Sequence, residues 1–133
     1  MSKRVLALVG NTPMIKLHNV VPDCGAEVWL KYEAGNPTGS YKDRMAMSVL
    51  ANAMSRSEIS RGDTIVEYTG GSTGSTLAFV SSGLGLKFVA VFSDAFSQSK
   101  QQTMEAFGAK VIVEKSYGKG ITPELIGRMK VEH

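Results

Sequence analysis

The segment TIVEYTGGSTGSTLAFVSSGL, residues 64–84, joins a β-branched alternating run to a glycine-rich turn and then to a short apolar run, Leu77-Ala78-Phe79-Val80, flanked by serine and threonine. Thr64-Ile65-Val66-Glu67-Tyr68 reads as a strand, 69–74 as a loop, and 75–84 as a helix closed by Gly83 and Gly85. The rhythm then repeats. Residues 87–92 form an apolar strand, Ser97 caps a helix that runs to Phe107 and stops at Gly108, and residues 110–114 form another strand. After a loop over 115–120, Thr122-Pro123-Glu124 opens a last helix with a cap, a proline at its first position and an acid in its first turn. Apolar strands separated by helices of about ten residues predict right-handed βαβ units. The fold class is therefore α/β, a three-layer αβα arrangement with a parallel sheet covered on both faces. Ligands of such sheets bind beyond the strands' carboxyl ends, here the loops 69–74, 93–96 and 115–120.

Upstream lies Gly35-Asn36-Pro37-Thr38-Gly39-Ser40-Tyr41-Lys42-Asp43-Arg44, a turn-forming run that tips into an amphipathic helix with apolar positions at Met45, Ala46, Val49, Leu50, Ala53 and Met54. Ser40 suits an N-cap and Asp43 suits the first turn, but Lys42 places a cation where the helix dipole is positive. That position suits either a nucleophilic amine or a solvated lysine that snorkels away from the dipole, and this stretch alone does not separate the two. Residues 14–17 and 27–33 alternate as strands, an apolar run spans 5–9, and 20–25 reads as a turn. Thr69-Gly70-Gly71-Ser72-Thr73-Gly74 can turn its amides toward an anion at a helix N-terminus, or can serve as a tight turn alone. It lacks the lysine of a Walker loop and the spacing of a dinucleotide fingerprint.

With 133 residues the chain can bury one modest core. Its net charge of +3 comes from basic and acidic residues interspersed along the chain, without the basic face a nucleic-acid partner needs. Cys24 is the single cysteine, which excludes an internal disulfide and fits a reducing cytoplasm; it reads as inert in its turn. His18 and His133 are too few for a metal site, and no apolar run is long enough for a membrane span. Most methionines, such as Met45, Met54 and Met104, read as core filler, and Trp29 as a packing residue. Asp94 and Lys119 sit on loops near the expected cleft.

Taken together, Gly10-Asn11-Thr12-Pro13, the Asn-Pro-Thr-Gly-Ser-Tyr-Lys-Asp-Arg run, Thr-Gly-Gly-Ser-Thr-Gly and Phe107-Gly108-Ala109-Lys110-Val111 resemble the amino-terminal portion of the cysteine synthase family. These are tryptophan-synthase-β-like, pyridoxal-phosphate-dependent enzymes. The resemblance implies that Lys42 carries pyridoxal phosphate and moves the Cα proton, in β-elimination and β-replacement on a serine-derived amino acid during cysteine biosynthesis. It assigns Asn36 and Ser72, with Lys42, to the cofactor, and Thr69, Gly70, Gly71, Ser72 and Thr73 to the substrate carboxylate. The family's loop usually reads Thr-Ser-Gly-Asn-Thr-Gly, so Gly70 and Ser72 depart from it. The glycine-rich loop that anchors the cofactor phosphate belongs to a carboxy-terminal part absent from this chain, which is expected to be incomplete alone. Residues 1–34 are then strands that pack on a missing large domain, 35–130 a small α/β domain, and 131–133 a possible tag remnant. A homodimer is expected, and a non-catalytic binding or self-assembly module is the alternative.

Overall fold

In the computed structural model, which describes residues 3–19, 22 and 25–131, the chain runs α1 (Lys3–Leu6), β1 (Met14–Leu17), β2 (Val28–Lys31) and a 3₁₀ turn over Glu33–Gly35. It continues through α2 (Lys42–Ser55), β3 (Thr64–Tyr68), α3 (Ser72–Leu84), β4 (Lys87–Ser93), α4 (Gln98–Ala106), β5 (Lys110–Glu114) and α5 (Pro123–Val131). β3, β4 and β5 form a parallel sheet in sequence order, with Val66 level with Val89 and Val91 level with Ile112. β1 and β2 make a separate antiparallel ribbon. Cys24 and the tail residues 132 and 133 lie outside the described residues.

The apolar stretch after the glycine turn is buried on almost every side, because α3 packs against β4, α2, α4 and α1 together. Leu77, Ala78, Phe79 and Val80 join Phe88, Ala90 and Phe92 of β4 in the main core, with Ala46 and Leu50 of α2 and Met104 of α4. The close α3–α4 approach requires Gly74, since a Cβ there would sit 2.5 Å from the Met104 sulfur and from Thr69 Cγ2. Gly85, at φ 79°, turns the chain out of α3 in the left-handed conformation that glycine adopts without strain.

Several expected boundaries shift for local reasons. α3 starts at Ser72 rather than Ser75, because Gly71 is the N-cap and the Ser-Thr-Gly of the loop becomes the first helical turn. The apolar run near residue 5 is the helix α1, which sets Leu6 against Gly83. The stripe on α2 omits Val49, which is 55% exposed, since the face toward α3 carries Asp43, Ala46 and Leu50 at helical spacing. Cover on the second sheet face is also less than expected. There α5 seals Val91 with Leu125 and Met129, while Val66 and Tyr68 stay 50% and 41% exposed.

Met104 is wholly buried against the bare backbone of Gly74. Met104→Ala is therefore expected to lower unfolding free energy by about 2–4 kcal/mol, read from the urea midpoint at unchanged m value.

Candidate active site

The lysine-bearing loop is held from two sides. On one side Glu33 collects donors: Arg44 Nε reaches its Oε2 at 2.8 Å, Arg44 Nη2 reaches Oε1 at 3.0 Å, and the Thr12 hydroxyl donates to Oε1 at 2.7 Å. The Asn36 amide donates to Glu33 Oε2 at 2.9 Å and to the Glu33 carbonyl at 2.8 Å, and its oxygen accepts the Gly10 N–H at 2.8 Å. This network joins the Gly10-Asn11-Thr12-Pro13 turn to the Asn-Pro-Thr-Gly run. Hydrogen bonds from Arg44 first, then from Thr12 and Asn36, hold the Glu33 carboxyl down to about 2. Asn36 is buried and spends both ends of its amide on Gly10 and Glu33.

On the other side stands Asp43, with no exposed surface. Its carboxylate accepts the Thr38 N–H at 2.8 Å, the Thr38 hydroxyl at 2.5 Å and the Thr76 hydroxyl at 2.7 Å. A buried carboxylate costs several kcal/mol unless donors satisfy it; the two Thr38 bonds tie the start of α2 to the loop before it, and the Thr76 bond ties it to the second turn of α3. The sequence assigned no role to Thr38 or Thr76. One signal was available: Asp43 shares its spacing with Ala46 and Leu50, which puts an acid on a helix's buried stripe.

Lys42 is the first residue of α2, and its own N–H donates to Ser40 Oγ at 3.1 Å. Its side chain is half-buried, with Nζ 4.6 Å from the centre of the exposed Tyr41 ring. Because Asp43 turns into the α2–α3 interface, Lys42 has no carboxylate partner among the described residues.

Thr69 is buried and continues the β3–β4 ladder by donating its N–H to the Val91 carbonyl at 2.9 Å. Gly70 and Gly71 follow, and Ser72 and Thr73 form the half-buried first turn of α3. No side chain caps this helix, and a Cβ on Gly71 would meet open space. Helix starts leave amide donors without intrahelical partners, and such donors suit an anion. Asp94 lies on the next loop with its carboxyl held below the usual range by hydrogen bonds from Ser116, which tie the ends of β4 and β5 together. A cavity of about 320 Å³ opens at the opposite, amino end of the strands, beside Thr64, Lys87 and Lys110.

Comparison with known proteins gives concordant results. Residues 5–123 match the family described as "Pyridoxal-phosphate dependent enzyme". The chain is 44% identical over 105 residues to cysteine synthase B of Escherichia coli, covering 79% of this chain and 35% of that protein. It is 41% identical over 109 residues to a cysteine synthase of Staphylococcus aureus, covering 82% and 35%. The crystal structure of an O-ureido-L-serine synthase superposes with TM-score 0.80 at 35% identity, over 96% of this chain and 40% of the other. That of a hydrogen sulfide-producing enzyme from Fusobacterium nucleatum gives 0.79 at 32%, over 97% and 42%. The chain thus spans little more than a third of the length of these relatives.

The Glu33 network makes a pH prediction. Its carboxyl titrates at about 2 when folded against 4.5 for the free group, so the stabilisation is present above 4.5 and is lost as pH falls from there toward 2. Glu33→Gln is expected to flatten the fall in urea midpoint across that window. The slope left over should reflect other depressed acids, Asp94 and Glu124.

Proposed function

This chain belongs to the family of pyridoxal-phosphate dependent enzymes, and on that premise we propose that it is the lysine- and carboxylate-bearing part of a cysteine-synthase-like enzyme. The reaction is β-elimination followed by β-replacement on a serine-derived amino acid. The observation that carries this reading is the Asp43–Thr76 bond, which sets the start of the lysine helix against the helix whose start suits an anion. An unpaired lysine amine and an uncapped, unobstructed helix start are the donor set that this cofactor and an amino-acid substrate need.

When bound, pyridoxal phosphate supplies an electron sink for negative charge at the substrate Cα. Lys42 Nζ would hold the cofactor covalently and, once displaced by the incoming substrate amine, would take and return the substrate's Cα proton. The amides and hydroxyls of Thr69, Gly70, Gly71, Ser72 and Thr73 hold the substrate carboxylate, and Ser72 also faces the cofactor. Asn36 and Ser40 shape the lysine's pocket, and Asn36 serves with Lys42 and Ser72 in holding the cofactor. Orientation is the protein's main contribution, since the Cα–H bond has to point at one amine.

Incubation with pyridoxal phosphate, borohydride reduction and peptide mapping are expected to place the adduct on Lys42, and Lys42→Ala should abolish it. Label spread evenly over exposed lysines such as Lys87, Lys110 and Lys119 would overturn the assignment.

A second reading is favoured by the β1–β2 ribbon, where Met14, Ile15, Val28, Trp29 and Leu30 are each about half exposed. A non-catalytic module that pairs through this ribbon into a homodimer would bury it. Light scattering is then expected to show a concentration-dependent dimer that a Trp29→Ser, Leu30→Ser variant loses. A strictly monomeric parent chain removes this reading.

A further inference from the structure

Gly70 sits in the proposed carboxylate seat with its bare α-carbon facing the ring of Phe96. A Cβ built on Gly70 would lie 2.5 Å from Phe96 Cδ1 and as close to two further atoms of the same ring edge. Real Cβ atoms essentially never come nearer than 3.0 Å to a neighbour, so a side chain at position 70 requires this ring to move from where it sits. Backbone geometry is not the obstacle, because Gly70 is not among the glycines with positive φ.

The ring is itself held in place. Phe96 donates its N–H to the Ser93 carbonyl at 3.0 Å, in a turn where Ser93 Oγ accepts the Ala95 N–H at 3.2 Å. Its ring packs on Phe92 with centroids 5.5 Å apart and lies between the two apolar clusters on either side of the sheet. The turn after β4 thus presses an aromatic edge onto the turn after β3.

We propose that Phe96 is a positioning and specificity residue for the carboxylate seat. It clamps the Gly70–Gly71 backbone so that the amides at the start of α3 keep their aim. It also fills the volume that a side chain at 70 would occupy, so an amino-acid carboxylate meets backbone alone at that point, with no hydroxyl from residue 70. The ligand is an α-amino acid, and the inference rests on the reading of residues 69–73 given above.

The test is a double-mutant cycle on the 133-residue chain. L-serine is titrated while the amide resonances of Ser72 and Thr73 are followed, and melting temperatures are recorded in parallel. Phe96→Ala and Gly70→Ala are each expected to weaken L-serine binding about tenfold, and the pair together to recover to within about threefold of the parent. The double variant's melting loss should also be smaller than the sum of the single losses. Should Phe96→Ala not fold, Phe96→Leu carries the same comparison. A parent that binds while both single variants bind equally well, or melting losses that simply add, overturns this inference alone. A parent whose amides do not move with L-serine overturns the carboxylate reading, and this inference with it.

Discussion

A carboxylate sealed between two helices is the constraint on which the geometry of this chain turns. Asp43 has no access to water, and its oxygens are satisfied by one backbone amide and two threonine hydroxyls. Removing any one donor would leave part of a buried charge uncompensated, which costs more than an ordinary hydrogen bond contributes. The α2–α3 contact therefore has one permitted register, and Lys42, the neighbour of Asp43, inherits a fixed origin. On its other flank Arg44 grips Glu33 with two nitrogens. Three consecutive residues thus divide the work: Asp43 faces the buried interface, Arg44 after it binds the partly exposed Glu33 network, and Lys42 before it has no carboxylate partner among the described residues.

The strand and helix rhythm was legible because a parallel sheet shows itself as short apolar runs, and β5 lies where the run 110–114 puts it. Residues 72–74 were read as loop because serine, threonine and glycine carry turn chemistry, while a glycine N-cap leaves no side-chain signature. Val49 was assigned inward by periodicity that did not know where α3 would lie. The motif residues of the site were legible by type and by resemblance. Their partners were not, since Thr76 lies 33 residues from Asp43 and Phe96 is 26 residues beyond Gly70, contacts that only the fold creates. Asn36 shows the same limit, because nothing local says that its amide closes on Gly10.

The ribbon β1–β2 and the sheet β3–β4–β5 have opposite surface character. The sheet's central strand is buried from Phe88 onward apart from Val89, whereas every residue of β2 is exposed. One part is a packed core; the other is apolar surface without cover among the described residues.

The order of the sheet has a bearing on how the molecule comes to exist. Each strand hydrogen-bonds to the one that precedes it along the polypeptide, and α2 meets α3 before any later helix is required. Every pairing closes only a modest loop, whose entropy cost grows slowly with length. A nascent chain leaving the ribosome can add these layers one at a time, each docking on a platform already made, with Phe96 following β4 to pack on Phe92 and on the clusters at both faces.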